Sequence, residues 1–329
     1  MGQVKAIEKE NVTMRAGNCS VTILPWLGGK IASIRIGDRE LLQSPLAAYA
    51  PRTPTMSFDA GDASGWDECL PSVAACMVET AAGTASVPDH GDLWRVPWRD
   101  SSQFAVRSSQ LAAEASDGSV ALRGECFSLP LMLERTVGLV ETSTGWSLRL
   151  DYVLRNTSGS AVPWSWAAHP LFAVEPGDRI VLPKSIETLR LEGSGGDRLG
   201  RNRDTVGWPM AALADGSKSD LSVAQGADSG IGDKLFTGPL RVTENWCTLE
   251  RPKAGVRIKV GFDATATPYL GLWICYGGWP ERPGPKQMCV AMEPATAPVD
   301  SLAETGPWSR VLAPCQSYGW PMTVVIDSI

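Results

Sequence analysis

An all-β fold, a large antiparallel β-sandwich, is the architecture that this 329-residue chain predicts. Apolar and polar residues alternate over many short runs, separated by turn residues at roughly 8–12-residue spacing. No amphipathic helix longer than about three turns is visible. No repeat of fixed period appears, which disfavours a propeller.

The elements follow in order. Cys19–Leu24 and Lys30–Ile36 alternate on either side of Pro25-Trp-Leu-Gly-Gly29, the pattern of a β-hairpin. Gly37-Asp38 turns into a third strand, Arg39–Leu42. Residues 45–75 are rich in Pro, Gly, Ala and Asp and read as a long functional loop. Strands are expected at Phe104–Ser108, Val120–Cys126, Met132–Leu139 and Trp146–Arg155, with turns at Ser116–Gly118 and Thr142–Gly145. Residues 185–232 are Gly, Asp and Ser rich, with weak periodicity, and read as loops and excursions. Strands resume around Val242 and at Cys247–Glu250, Val256–Phe262, Tyr269–Tyr276, Gln287–Glu293 and Ser317–Ile326. One short helical piece is expected near Ser301–Glu304.

Composition excludes several functions. A net charge of −6 without a basic patch argues against nucleic acid. No apolar run reaches the roughly 18 residues of a membrane helix, and the first residues lack a signal-peptide pattern. The cytoplasm is therefore the expected compartment. The eight cysteines form no CxxC pair and read as reduced, small apolar residues. No Cys/His/carboxylate spacing suggests a metal site, and no GxGxxG or P-loop suggests a nucleotide cofactor. No cofactor is expected.

Only two histidines occur, so any imidazole chemistry must use one of them. His90, in Pro88-Asp-His-Gly-Asp-Leu-Trp94, has a glycine beside it that permits close approach of a ligand. His169, in Trp164-Ser-Trp-Ala-Ala-His-Pro-Leu-Phe172, ends an apolar strand, and the following proline forces extended geometry on it. Glu293 closes a buried-strand pattern, where a carboxylate costs free energy unless it is paired or used. Burial would raise its pKa and improve it as a base. The 13 tryptophans point to sugar, because indole covers the apolar face of a pyranose while its N–H reaches the hydroxyl rim. Trp66, Trp94, Trp166, Trp273 and Trp279 lie in or near these motifs.

In order and context, the chain resembles the aldose 1-epimerases, the galactose mutarotase-like family. The hairpin Val21-Thr-Ile-Leu-Pro-Trp-Leu-Gly-Gly, His90-Gly91, His169-Pro-Leu-Phe, Met292-Glu-Pro-Ala-Thr and Val311-Leu-Ala-Pro carry the likeness across almost the whole chain. The resemblance implies a single galactose mutarotase-like supersandwich domain over 1–329 and a small-molecule carbohydrate substrate. It implies acid/base interconversion of α and β anomers, with Glu293 as base, His169 as acid, and His90 hydrogen-bonding the ring region or assisting at the ring oxygen. Asp233, in Gly232-Asp-Lys-Leu-Phe236, is the nearest match to the family's hydroxyl-binding aspartate. The family's Asn-Arg pair is missing. Ser64-Gly-Trp-Asp-Glu-Cys-Leu-Pro71 stands in that region, so Trp66, Asp67 and Glu68, or Arg52, are the candidate substitutes for hydroxyl binding, with Trp94 nearby. A monomer or homodimer is expected.

Three other readings stay open. A sugar phosphate would want cations at the cleft mouth, for which Arg52, Arg95 and Arg99 are candidates. A pure sugar-binding module would have no need of an acid/base pair. A glycosidase would need Glu293 and Asp67 or Glu68 to flank one bond.

Overall fold

The computed structural model describes residues 10–61, 64–101 and 118–329. Among these residues the regular structure is strand, and the helical segments are short 3-10 turns. Two large antiparallel sheets hold most of the strands. The first runs in the spatial order Val12–Ala16, Cys19–Leu24, Lys30–Ile36, Trp66–Cys69, Ala167–Ala173, Met288–Ala295, Tyr269–Tyr276, Ile231–Phe236, Thr188–Ser194 and Thr205–Gly207, with Arg39–Glu40 paired beside Lys30–Ile36. The second runs Arg179–Val181, Trp246–Arg251, Val256–Phe262, Ser317–Ser328, Gly145–Asn156, Leu131–Glu141, Val120–Glu125 and Arg99–Asp100. No described helix is long and apolar enough to cross a membrane.

Alternation along each strand builds two apolar layers on the first sheet, because successive side chains point to opposite faces. Ile23, Ile31, Trp66, Ala168, Phe172, Leu235, Leu270, Leu272 and Val290 join Leu133, Leu148, Leu150, Ile258 and Val324 of the second sheet in one large core. The opposite face of the first sheet carries two smaller clusters. One holds Phe58, Trp94, Leu171, Cys275, Cys289 and Ala291. The other holds Cys69, Val73, Ala167, Phe236, Tyr269 and Ala295. Loops cover this second face, and the candidate residues His90, His169 and Glu293 gather there.

The structure corrects several expected boundaries. Residues 45–75 are not all loop: Trp66–Cys69 is a fully buried central strand. The 185–232 region supplies Thr188–Ser194, of which only Leu189 and Leu191 are buried, and the start of Ile231–Phe236, which is buried on both faces. Val242 opens a 3-10 turn rather than a strand. The helical piece near Ser301 is a single turn, Leu302–Glu304. Phe104–Ser108 and most of the Ser116–Gly118 turn lie outside the described residues. All eight cysteines are free thiols.

Candidate active site

Three central strands of the first sheet place the principal side chains. Ala167–Ala173 pairs with Met288–Ala295 through Ala167 opposite Ala295 and Leu171 opposite Ala291, which sets His169 across from Glu293. On its other side His169 is in register with Asp67. All three therefore share the outer face. His90 arrives from a loop, held by its backbone N–H donating to Val73 O at 2.5 Å. It adopts a left-handed φ of 57°, and Gly91 follows at 68°. A Cβ on Gly91 would lie 2.1 Å from Leu70 O, so only glycine lets this loop pack against the sheet.

His90 and His169 border a cavity of about 310 Å³, a size suited to a single small polar molecule. His90, His169, Phe58, Trp273, Trp279, Gln287, Lys234, Asp59, Asp89 and Asp300 contribute to its wall. Phe58 stacks on His90 with ring centres 3.6 Å apart, and His169 meets His90 edge-on at 5.4 Å. His90 Nδ1 is 2.9 Å from Asp89 Oδ2. Burial would raise the Asp89 carboxyl, but its bond to His90 and the nearby charges of His90 and Arg95 bring it below its ordinary value.

Glu293 is fully buried one layer behind this wall. One of its oxygens, Oε2, is in direct ionic contact with Lys234. The other, Oε1, has no hydrogen-bond partner and stands 3.7 Å from His169 Nε2. Burial raises the Glu293 carboxyl above its usual range; Lys234 opposes the rise and Asp300 adds to it. Burial pushes the Lys234 amine down, but the Asp300 and Glu293 carboxylates more than reverse this and hold it above its ordinary value. Asp300 Oδ1 is 3.7 Å from Lys234 Nζ. His169 is held well below the usual imidazole value, first by burial and then by the neighbouring charges of His90, Lys234 and Lys30. The neutral imidazole is therefore its favoured form at neutral pH.

The other expected site residues fall elsewhere. Asp67 lies on the outer face but is covered, receiving Lys30 Nζ at 2.7 Å and Arg52 Nη1 at 3.2 Å. Glu68, one residue on, points between the sheets, where Arg135 Nη1, Tyr152 OH and Trp166 Nε1 donate to it at 2.8, 3.0 and 3.0 Å. Trp66 is core. Trp94 is fully buried under the Phe58 edge, with the Arg52 and Arg95 guanidinium groups 4.8 and 4.1 Å from its ring. Asp233 also lies off the cavity wall, ion-paired with Arg198 and accepting from Ser194 Oγ at 2.6 Å. Of the five tryptophans near the motifs, Trp273 and Trp279 reach the cavity. Arg52 donates to Trp94 O and Gly61 O, and Arg95 to Met56 O, Asp89 O and Gly91 O. Neither is the cation cluster that a phosphate would need, and Arg99 is exposed on the second sheet. Neither Asp67 nor Glu68 pairs with Glu293 across the cavity as a glycosidase would require, since both are enclosed by their own partners.

Sequence reasoning missed Phe58, Lys234, Gln287 and Asp300. Lys234 was legible in principle. It is the neighbour of Asp233, and strand alternation puts one of the two on each face.

No family model matches the chain, and no curated protein sequence matches it. Solved structures do. The Slr1438 protein of Synechocystis sp. PCC 6803 superposes with a TM-score of 0.69 at 16% identity, covering 100% of both chains. A protein of Escherichia coli K12 provisionally named an aldose 1-epimerase gives 0.67 at 15% identity, over 97% of this chain and 99% of that one. A galactose mutarotase-like protein of Lactobacillus casei ATCC 334 gives 0.63 at 16% identity, over 97% and 100%. At such identities the likeness concerns the backbone, and over nearly its whole length this chain has the galactose mutarotase-like fold.

Proposed function

We propose that this protein is an aldose 1-epimerase, interconverting the α and β anomers of a free sugar by opening and closing its ring. The whole chain is read as one domain, because each large sheet draws strands from both halves of the sequence. The observation that carries the reading is Glu293. A carboxylate this deeply buried keeps one oxygen without a hydrogen-bond partner, beside a neutral imidazole on the cavity wall. Burying an unpaired acceptor costs roughly 1–3 kcal/mol; Asp92 and Asp178 bear such an oxygen too, and what sets Glu293 apart is its contact with His169 and Lys234 of the cavity wall.

In the forward direction Glu293 Oε1 takes the proton of the anomeric O1 hydroxyl. A donor on the wall protonates ring O5, and the C1–O5 bond breaks to give the open-chain aldehyde. Rotation about C1–C2 and closure on the other face give the other anomer, with each proton returned. The sugar presents O1 between His169 and Lys234, the two groups that lie over Glu293. Trp273 and Trp279 offer flat apolar surfaces for the ring. The wall favours an uncharged sugar: it carries Asp59, Asp89 and Asp300, and its lysine is already flanked by two carboxylates.

His169 is the first candidate for the acid at O5. Its depressed pKa supports a second assignment for that step. His90 has Asp89 Oδ2 2.9 Å from its Nδ1 to orient it, and its ring meets that of His169. In this version His169 orients the sugar and His90 delivers the proton.

Polarimetry or anomeric-proton NMR on freshly dissolved aldoses tests the activity. Acceleration that disappears in Glu293→Gln supports it. Sugar binding without acceleration would identify a binding module instead.

A further inference from the structure

We propose that Lys234 is the positioning residue of this site, gripping Glu293 by one oxygen so that the other remains a bare carboxylate oxygen facing His169. The proposal rests on Glu293 being the base.

A fully buried carboxyl group prefers to be neutral, and a neutral Glu293 could not take a proton from O1. The groups around it come from every neighbouring element. His169 lies on the strand to one side, and Cys69 on the next. Cys289 is on its own strand, His90 stands beyond His169, and Asp300 follows on the loop with Glu192 against it. Burial and Asp300 oppose ionisation, His90 favours it, and the two thiols are held in their uncharged form by burial. Lys234 supplies the direct ionic contact that favours it, and it is buried with Glu293 away from screening water. Lys30 is engaged with Asp67 instead.

The backbone is arranged for this contact. Lys234 is in register with Trp273, and Glu293 with Gly271, so the lysine must cross the sheet diagonally over Gly271. A Cβ at Gly271 would stand 3.1 Å from Glu293 Oε2 and 3.0 Å from the Phe236 ring. The missing side chain leaves that path open. Asp300 holds the ammonium from the other side, and the Phe236 ring lies 5.1 Å beneath it. The lysine is thus fixed in charge and in place, and it selects which oxygen of Glu293 stays free.

The pH dependence of kcat/KM for mutarotation tests this. In Lys234→Met the acid limb should rise by about one pH unit or more, as the base loses its cation. Activity at neutral pH should fall about tenfold or more. Lys234→Arg, which keeps the charge, should hold the limb near its wild-type position. Asp300→Asn removes a carboxylate that disfavours the Glu293 charge, so it should move the limb down. If Lys234→Met fails to fold, the sign of the Asp300→Asn shift decides, and an upward or absent shift overturns the proposal. Wild-type activity in Glu293→Gln would remove the underlying reading itself. An inactive Glu293→Gln together with an unmoved limb in Lys234→Met would remove only the role of Lys234.

Discussion

Two buried acid–base clusters share the outer face of the first sheet, and they differ in what they leave unsatisfied. Asp67 accepts from Lys30 and Arg52, one cation to each oxygen. Those cations outweigh the effect of burial and bring its carboxyl below the ordinary value. Glu293, two strands away, has one cation for two oxygens, and its carboxyl sits above the ordinary value. Between them stands His169, in register with Asp67 and across from Glu293. The first cluster is closed, so its charge serves the fold. The second keeps one acceptor without a hydrogen-bond partner, 3.7 Å from a histidine of the cavity wall, which is why it is the candidate for chemistry and the first is not.

The largest break in this comparison comes from Glu293→Gln, which keeps the shape and removes the charge. Catalysis of mutarotation should fall by about 10³-fold, within the range for loss of a general base, while thermal unfolding shows a folded protein. Asp67→Asn should do the reverse. It should cost about 3–5 kcal/mol of stability in chemical denaturation, because the buried Lys30 and Arg52 lose the charge of their shared carboxylate, yet leave the folded protein active. The sign with pH follows. The folded Asp67 value lies below the ordinary 3.8, so its contribution is intact above that value and is lost only as pH falls through the lower folded one. An inactive but fully stable Asp67→Asn protein would erase the distinction between the clusters.

Smaller effects sharpen it. Without added sugar, the imidazole NMR signal of His169 should keep its neutral position as pH falls past 6.5, the ordinary histidine value. A midpoint near 6.5 would restore it as the simple acid at O5. Comparing His90→Asn with His169→Asn separates the two assignments, since the larger loss of kcat marks the proton donor. The smallest effect is expected from Trp279→Ala, where loss of a ring face should raise KM by a few-fold to about tenfold and leave kcat nearly unchanged.

Adjacent residue pairs account for most of what was misread. Asp233 and Lys234 differ by one position and therefore by one sheet face, and so do Asp67 and Glu68. A local pattern can show that a strand is present and that charge lies on it. It cannot say which face meets a cavity until both sheets are in place. The tryptophans divide for the same reason: Trp66 and Trp166 fill the space between sheets, while Trp273 and Trp279 face outward.

The sequence by itself determined the all-β class and most strand positions in the second sheet, and it singled out His90, His169 and Glu293, which the fold brings together. Alternation and turn chemistry are local, and a residue type that occurs only twice leaves few places for imidazole chemistry. Tertiary structure alone decided that Trp66–Cys69 is a central strand, that Asp67 and Glu68 are enclosed, and that Lys234, Asp300 and Phe58 complete the cavity. These last facts depend on contacts between segments far apart in the chain. The partners of a charge, and hence its ionisation, are set by folding rather than by its neighbours in sequence.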